Sequence, residues 1–285
     1  MTDLSERSRW ALERAVRHAA VLDARRAVLS GGARLTALME QAIHAGHEFS
    51  ANSEVAALIA LRTDGALRAR DLAALTGMTR AGTTNMIDRI VRAGLAQRGH
   101  VAEDRRGVLI ELTRDGVASV DAMTDRLTEV FTHAAPWLAD WGGHLDSMGF
   151  DVGPLRLPAG ALHKRLDYVR HTTDIGPQMV PLYREAFGDD ALKPHLLLHL
   201  LLLATEPGGT RPSLVSEEML LSSASTSDLL GRAERDGLII RSSGRPPDRR
   251  VVVVTAAERG VAALQTIVEG SGPVMRTLAD IFFPS

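Results

Sequence analysis

"GLAQRGHVAEDRR" spans Gly94 to Arg106, and "GLIIRSSGRPPDRR" spans Gly237 to Arg250. Each runs Gly-Leu, then Arg, then Asp-Arg-Arg, with a polar insert of turn-forming residues between. Gly94 and Gly237 stand 143 positions apart, and Arg106 and Arg250 stand 144 apart, so the second stretch carries one extra residue within its insert. Twice that spacing is almost the whole chain of 285 residues. In both places a strand-like run, a polar tip and a second run ("GVLIELT", "VVVVT") describe a β-hairpin.

Sliding the chain by the same 143 positions tests for a duplication. Gly65 falls on Gly208, Arg68 on Arg211, Ala81 on Ala224, Thr83 on Thr226 and Arg89 on Arg232. Leu95 falls on Leu238, Arg98 on Arg241 and, after the one-residue step, Gly116 on Gly260. Several of these are turn glycines, whose backbone role is hard to replace. Chance is a poor explanation.

Around the first hairpin the pattern is helical. "ANSEVAALIALRTDG" sets Val55, Leu58, Ile59 and Leu61 on one face and stops at Asp64-Gly65. "ARDLAALTG" is a short helix ending at Gly77. Thr79 then caps "RAGTTNMIDRIVRA", whose Met86, Ile87, Ile90 and Val91 make an apolar stripe. Two helices joined at Gly77-Met78 are a helix-turn-helix, and the hairpin beyond is its wing. From Asp115 to about Trp141 the pattern is helical again. The second half repeats the order with "KPHLLLHLLLLATEPGG", "SLVSEEMLL", "SSASTSDLLGRAERDG" and the second hairpin. Further helices are expected at 5–29 and 33–49 before the first copy, and at 159–170 and 178–187 before the second. The Gly- and Pro-rich stretch from Gly142 to Gly160 sets the expected domains at 1–145 and 160–285, with a linker at 146–159.

Composition narrows the function classes. A hydrophobic content of 45% supports two cores, and a net charge of −2 excludes a protein basic all over while leaving room for local basic patches. Lysine occurs only at Lys164 and Lys193, so arginine abundance carries no functional weight. No apolar run approaches the roughly 20 residues of a membrane span, and the N-terminus lacks a signal-peptide core, so a cytoplasmic protein is expected. The absence of cysteine removes thiol chemistry and the usual structural zinc sites. No dinucleotide, P-loop, zinc-protease or hydrolase-elbow motif is present, so no enzyme and no cofactor are expected.

The stretch "LRARDLAALTGMTRAGTTNMIDRIVRAGLAQRGHVAEDRRGVLIELTRDG" resembles the winged helix-turn-helix of the MarR family of bacterial transcription regulators. Leu72-Ala73, Thr79, Asp88-Arg89, Gly94-Leu95, Arg98, Asp104-Arg105-Arg106 and Leu112-Thr113…Gly116 carry the resemblance. It is strong over 55–116 and weak over 196–260. It implies a mainly α fold with small β-wings, in which the outer helices are dimerisation helices. Family members act as homodimers about half this length, so the chain resembles two subunits in tandem. The expectation is an intrachain pseudo-dimer on double-stranded DNA, with a homodimer as the other arrangement. A small-molecule effector, if any, would lodge between the dimerisation helices and a winged domain.

The candidate DNA contacts follow from groove geometry, where a recognition helix enters by its N-terminal residues and a wing reaches the backbone. In the first copy they are Thr79, Arg80, Gly82, Thr83, Thr84 and Asn85, with Arg98, Asp104, Arg105 and Arg106 on the wing. The second copy replaces Arg80 by Ser223, Asn85 by Asp228, Ala73 by Ser216 and Gly77 by Leu220, and keeps wing residues Arg241, Arg245, Arg249 and Arg250. Asp228 opposes phosphate, and losing the turn glycine is expected to change how the two helices meet. Two inferences stand side by side: half one supplies base contacts and half two mostly grips backbone, or half two has lost DNA and remains as a built-in partner. The alternative function is an interaction or ligand module on a decayed regulator fold. Trp10, Asp64 and Arg89, with Arg98, are loosely similar to the residues used by urate-sensing members. His195 and His199 sit i, i+4 and could hold a metal with His44 or His47, but a structural role suits them better, and no metal is expected.

Overall fold

The computed structural model describes residues 6–44, 52–101, 104–189, 191, 193–243 and 252–285. The elements in order are α1 (Glu6–His44), α2 (Asn52–Asp64), β1 (Leu67–Arg68), α3 (Ala69–Thr76), α4 (Arg80–Arg92), β2 (Ala96–Val101), β3 (Asp104–Leu112) and α5 (Arg114–Ser147). They continue with α6 (Leu162–Thr173), α7 (Ile175–Phe187), α8 (Pro194–Ala204), α9 (Pro212–Glu218), α10 (Ser223–Arg235), β4 (Ile239–Ser243), β5 (Val252–Ala256), α11 (Glu258–Gly270) and α12 (Gly272–Phe282). The chain divides into two compact units. The α4 unit holds residues 38–135 and 156–178; the α10 unit holds 1–37, 136–155 and 179–285.

In the α4 unit, the order β1-β3-β2 makes a three-stranded antiparallel sheet. Leu67 faces Ile110 and Ala96 faces Leu112, and the register shifts between His100 and Val101 near the tip. Leu58, Leu72, Met86, Ile90, Ile110 and Phe131 are fully enclosed, so helices and sheet share one core. α6 packs on α2, burying Leu166 and Val169, and Tyr168 meets Phe131 edge to face at 5.3 Å. Gly116 is required where α5 begins, because a Cβ there would collide with the Leu95 carbonyl, which accepts from Thr113 N–H.

In the α10 unit, β4 pairs antiparallel with β5, and Thr210 bridges to Val254. Leu200, Val215, Val254, Ile267, Met275 and Phe282 fill its core. Gly260 repeats the tight joint: a Cβ there would collide with the Leu238 carbonyl, which accepts from Ala257 N–H.

One expectation is corrected. Where two helices, 5–29 and 33–49, were expected, the described residues form one continuous helix, α1, that runs through Gly31 and Gly32. A Cβ on Gly31 would lie 2.5 Å from Trp141 Nε1, so the glycine admits an indole that is itself buried. Burying a tryptophan outweighs the ~1 kcal/mol a glycine costs inside a helix. The second helix-turn differs in detail: α9 ends at Glu218, one residue earlier in the register than α3 at Thr76. Leu220 adopts φ 53°, close to the 64° of Gly77, so a left-handed residue recurs in the turn without glycine. Ser216, standing where the first half has Ala73, donates its hydroxyl to the Leu221 carbonyl at 2.6 Å and braces that turn.

Candidate nucleic-acid interface

α4 starts at Thr79, whose backbone is extended and whose Oγ1 accepts from Gly82 N–H at 3.2 Å. That cap satisfies one of the free N–H groups of the first turn and leaves the positive end of the helix open to an anion. Arg80, Thr84 and Asn85 are exposed, and Arg80 forms no ion pair with another described residue. A Cβ on Gly82 would lie 3.1 Å from Met78 Cε and 3.3 Å from the capping Thr79 Oγ1, a tight fit against the cap.

Thr83 lies elsewhere than expected. It is buried, and its hydroxyl donates to the Thr79 carbonyl at 3.0 Å. Thr83, Met86, Ile87 and Ile90 follow the i, i+3, i+4, i+7 spacing of one helix face, and that face meets the core. The outward set is therefore Thr79, Arg80, Thr84 and Asn85, with Gly82 half-buried between them.

Two arginines have partners that hold α4 in place. Arg89 reaches back to the buried Glu54 in the first turn of α2, and Arg98 on β2 pairs with Asp88 on α4. The pattern missed Glu54; its signal was an acid on the apolar side of α2, which must be paired to be buried. Arg98 is thus engaged by the helix and holds the wing to it. Asp104, Arg105 and Arg106 lie on β3, and Trp10 on α1; their side chains lie outside the described residues. Asp64 pairs with Arg170 while Arg89 pairs with Glu54, so these two candidates have separate partners.

α10 is built on the same plan. Ser222 accepts from Ser225 N–H at 3.1 Å, and Thr226, Leu229, Leu230 and Ala233 are its buried face. Each stands 143 positions after its counterpart in α4. Its exposed residues in the first turns carry no arginine: Ser223, Ala224, Ser225 and Ser227 are exposed, and Asp228 pairs with Arg232 one turn later. Arg241 on β4 donates from two of its guanidinium nitrogens, Nε and Nη2, to Glu234, and these hydrogen bonds keep the Glu234 carboxyl below the usual carboxylate range. Arg245, Arg249 and Arg250 lie outside the described residues.

The α10 unit also contains a cavity of about 240 Å³, lined by Arg34, Trp137, Trp141, His199 and Glu218 among others. Arg34 lies over the Trp137 ring at 5.6 Å and 3.5 Å from Glu218. Among the described residues no group of three or more His, Cys, Asp or Glu could hold a metal, and no helix is long and apolar enough to cross a membrane.

Residues 51–107 match the model of the MarR family. A HTH-type transcriptional regulator of Bacillus subtilis, YfiV, is 36% identical over 58 residues, which are 20% of this chain and 36% of that relative. The matched segment therefore spans about a third of the relative's length. A probable transcriptional regulator from Pseudomonas aeruginosa is 28% identical, covering 37% of this chain and 78% of its own, at a TM-score of 0.33. BpsR of Bordetella bronchiseptica, whose DNA binding is regulated by 6-hydroxynicotinic acid, is 30% identical, covering 29% and 62%, at a TM-score of 0.26. The cap, the buried stripe and the two wing strands form a winged helix-turn-helix, and the segment that holds them is similar to the MarR family.

Proposed function

We propose that this chain is a sequence-specific, DNA-binding transcription regulator in which one molecule carries both winged domains of a MarR-type dimer. The observation that carries it is the open first turn of α4, with exposed Arg80, Thr84 and Asn85 beside a wing, in the segment matching the family. An arginine there suits a guanine edge, and the hydroxyls and amide suit phosphates and bases.

The tandem reading is supported by matching slots. Caps, buried helix faces and the glycines at Gly94 and Gly237, both of positive φ, recur 143 positions apart. The halves are unequal as readers: α10 offers Asp228 and serines where α4 offers Asn85 and Arg80. We infer that the first half supplies the base contacts. An effector, if one exists, would enter the cavity between Arg34, Trp137 and His199.

The test is a gel shift on the DNA directly upstream of the protein's own gene. With three phosphates neutralised per wing, log K should fall against log salt with a slope of about −5. Arg80→Ala should weaken specific binding by about 1–3 kcal/mol and relax preference at one base, while Ser223→Ala should change little. A flat salt dependence, or no shift on any genomic fragment, would leave an interaction module in place of a regulator.

A further inference from the structure

Arg26 on α1 and Arg170 on α6 make the same kind of contact on a helix of the other half, although they stand 144 positions apart, one step off the 143-residue register. Arg170 donates to Thr63 Oγ1 at 3.0 Å and pairs with Asp64, the last two residues of α2. Arg26 donates to Thr205 Oγ1, just past the end of α8, and lies 3.8 Å from the Glu206 carboxylate. The threonines play matching parts, though 142 positions apart. Thr63 Oγ1 donates to its own helix carbonyls Ile59 and Ala60 at 3.1 and 3.2 Å, and Thr205 Oγ1 to Leu201 and Leu202 at 2.7 and 3.1 Å. Each hydroxyl spends its proton on the helix and turns a lone pair to the guanidinium.

These latches lie inside the compact units, and each crosses repeats. The unit containing α4 includes residues 156–178 from the leading part of the second repeat, and the unit containing α10 includes residues 1–37 of the first. Each latch also sits at a joint. Directly after Asp64 come Gly65 at φ 82° and then β1, where Leu67 pairs with Ile110 of the wing. After Glu206 come Gly208 at φ 89° and Thr210, which bridges to Val254 of β5.

We propose that Arg170 is a positioning residue for the first winged helix-turn-helix, supplied by the other repeat, and that Arg26 does the same for the second. By holding the Thr-acid pair, each guanidinium fixes the direction in which the helix hands the chain to its wing. The second repeat therefore contributes to DNA binding through α6 whether or not α10 touches DNA. This rests on the DNA-binding reading above, and the test separates the two.

Arg170→Ala, in the full chain, should weaken operator binding about five-fold, the upper range for a half-exposed ion pair. The salt slope should stay unchanged, because no phosphate contact is lost. Amide hydrogen exchange over residues 64–70 should quicken. The charge swap Asp64→Arg with Arg170→Asp should restore both affinity and protection, and Arg26→Ala should quicken exchange over 206–212 instead. Where the alanine variant does not fold, Arg170→Lys is measured in the same way, with a smaller loss expected because it keeps the charge and loses the fork. Wild-type affinity and protection in Arg170→Ala, a reduced salt slope, or a swap that restores nothing would each overturn the latch. A wild type that binds no duplex at low salt would sink the regulator reading, and exchange at 64–70 would still decide the latch.

Discussion

His199 shows what burial does to one side chain. It is 3% exposed on α8, and burial, then the nearby Arg34 and His195, push its pKa down from 6.5 to about 4. Above pH 6.5 both the folded and unfolded chains carry it neutral. As the pH falls from 6.5 towards 4, the unfolded chain takes up a proton that the folded one refuses, so stability is lost across that window. The full loss is about 3 kcal/mol. Urea titrations at pH 7 and pH 4.5 should show most of that difference, and His199→Gln should lose it. An equal drop in the variant would assign the effect to other groups. The same burial keeps the imidazole from serving as an exposed metal ligand.

At the scale of elements, the two helix-turns make a natural comparison. Gly77 takes a left-handed conformation at no steric cost, whereas Leu220 takes nearly the same φ with a side chain. Leu220 is 41% exposed, so its side chain returns little packing for that strain. Leu220→Gly should therefore stabilise the protein by up to about 1 kcal/mol, the left-handed penalty less the extra chain entropy of glycine. Gly77→Ala should destabilise by a similar amount, about 1 kcal/mol. Melting temperatures would check both, and a Leu220→Gly variant that melts lower would show that the leucine packs usefully. A second lesson comes from the joint between wing and helix. Gly116 and Gly260 were legible as a pair from sequence alone, and their cause is the carbonyls of Leu95 and Leu238 pressing where a Cβ would stand.

At the scale of the molecule, the proposed repeat and the proposed latches lead to one expectation about mass. If the leading helix of each repeat completes the unit of the other, one chain satisfies the surfaces for which a family subunit needs a second copy. The segment joining the repeats keeps them at high effective concentration, so pairing within the chain should win. Light scattering should give a mass near the 30.7 kDa of one chain, independent of concentration. A stable mass near twice that would mean that the halves exchange between molecules, with a footprint longer than one dimer site.

Across the whole chain, what the sequence determined by itself was local. The cap at Thr79, the apolar stripe of α4, the turn glycines and the wing strands all follow from contacts a few residues apart, where spacing and φ preferences act directly. The exposure of Thr79, Arg80, Thr84 and Asn85 was legible for the same reason, and Thr83 was not, because one helical step decides between solvent and core. Tertiary structure alone decided which arginines stand open and which are engaged. Arg80 makes no ion pair among the described residues, while Arg98, Arg89 and Arg241 are held by Asp88, Glu54 and Glu234. It also decided that Gly31 lies within a helix, because Trp141 needs its space, and that Arg170 meets Asp64 from 106 positions away. No periodicity encodes such meetings; they depend on which distant segments share a core, and that is set only when the whole chain has packed.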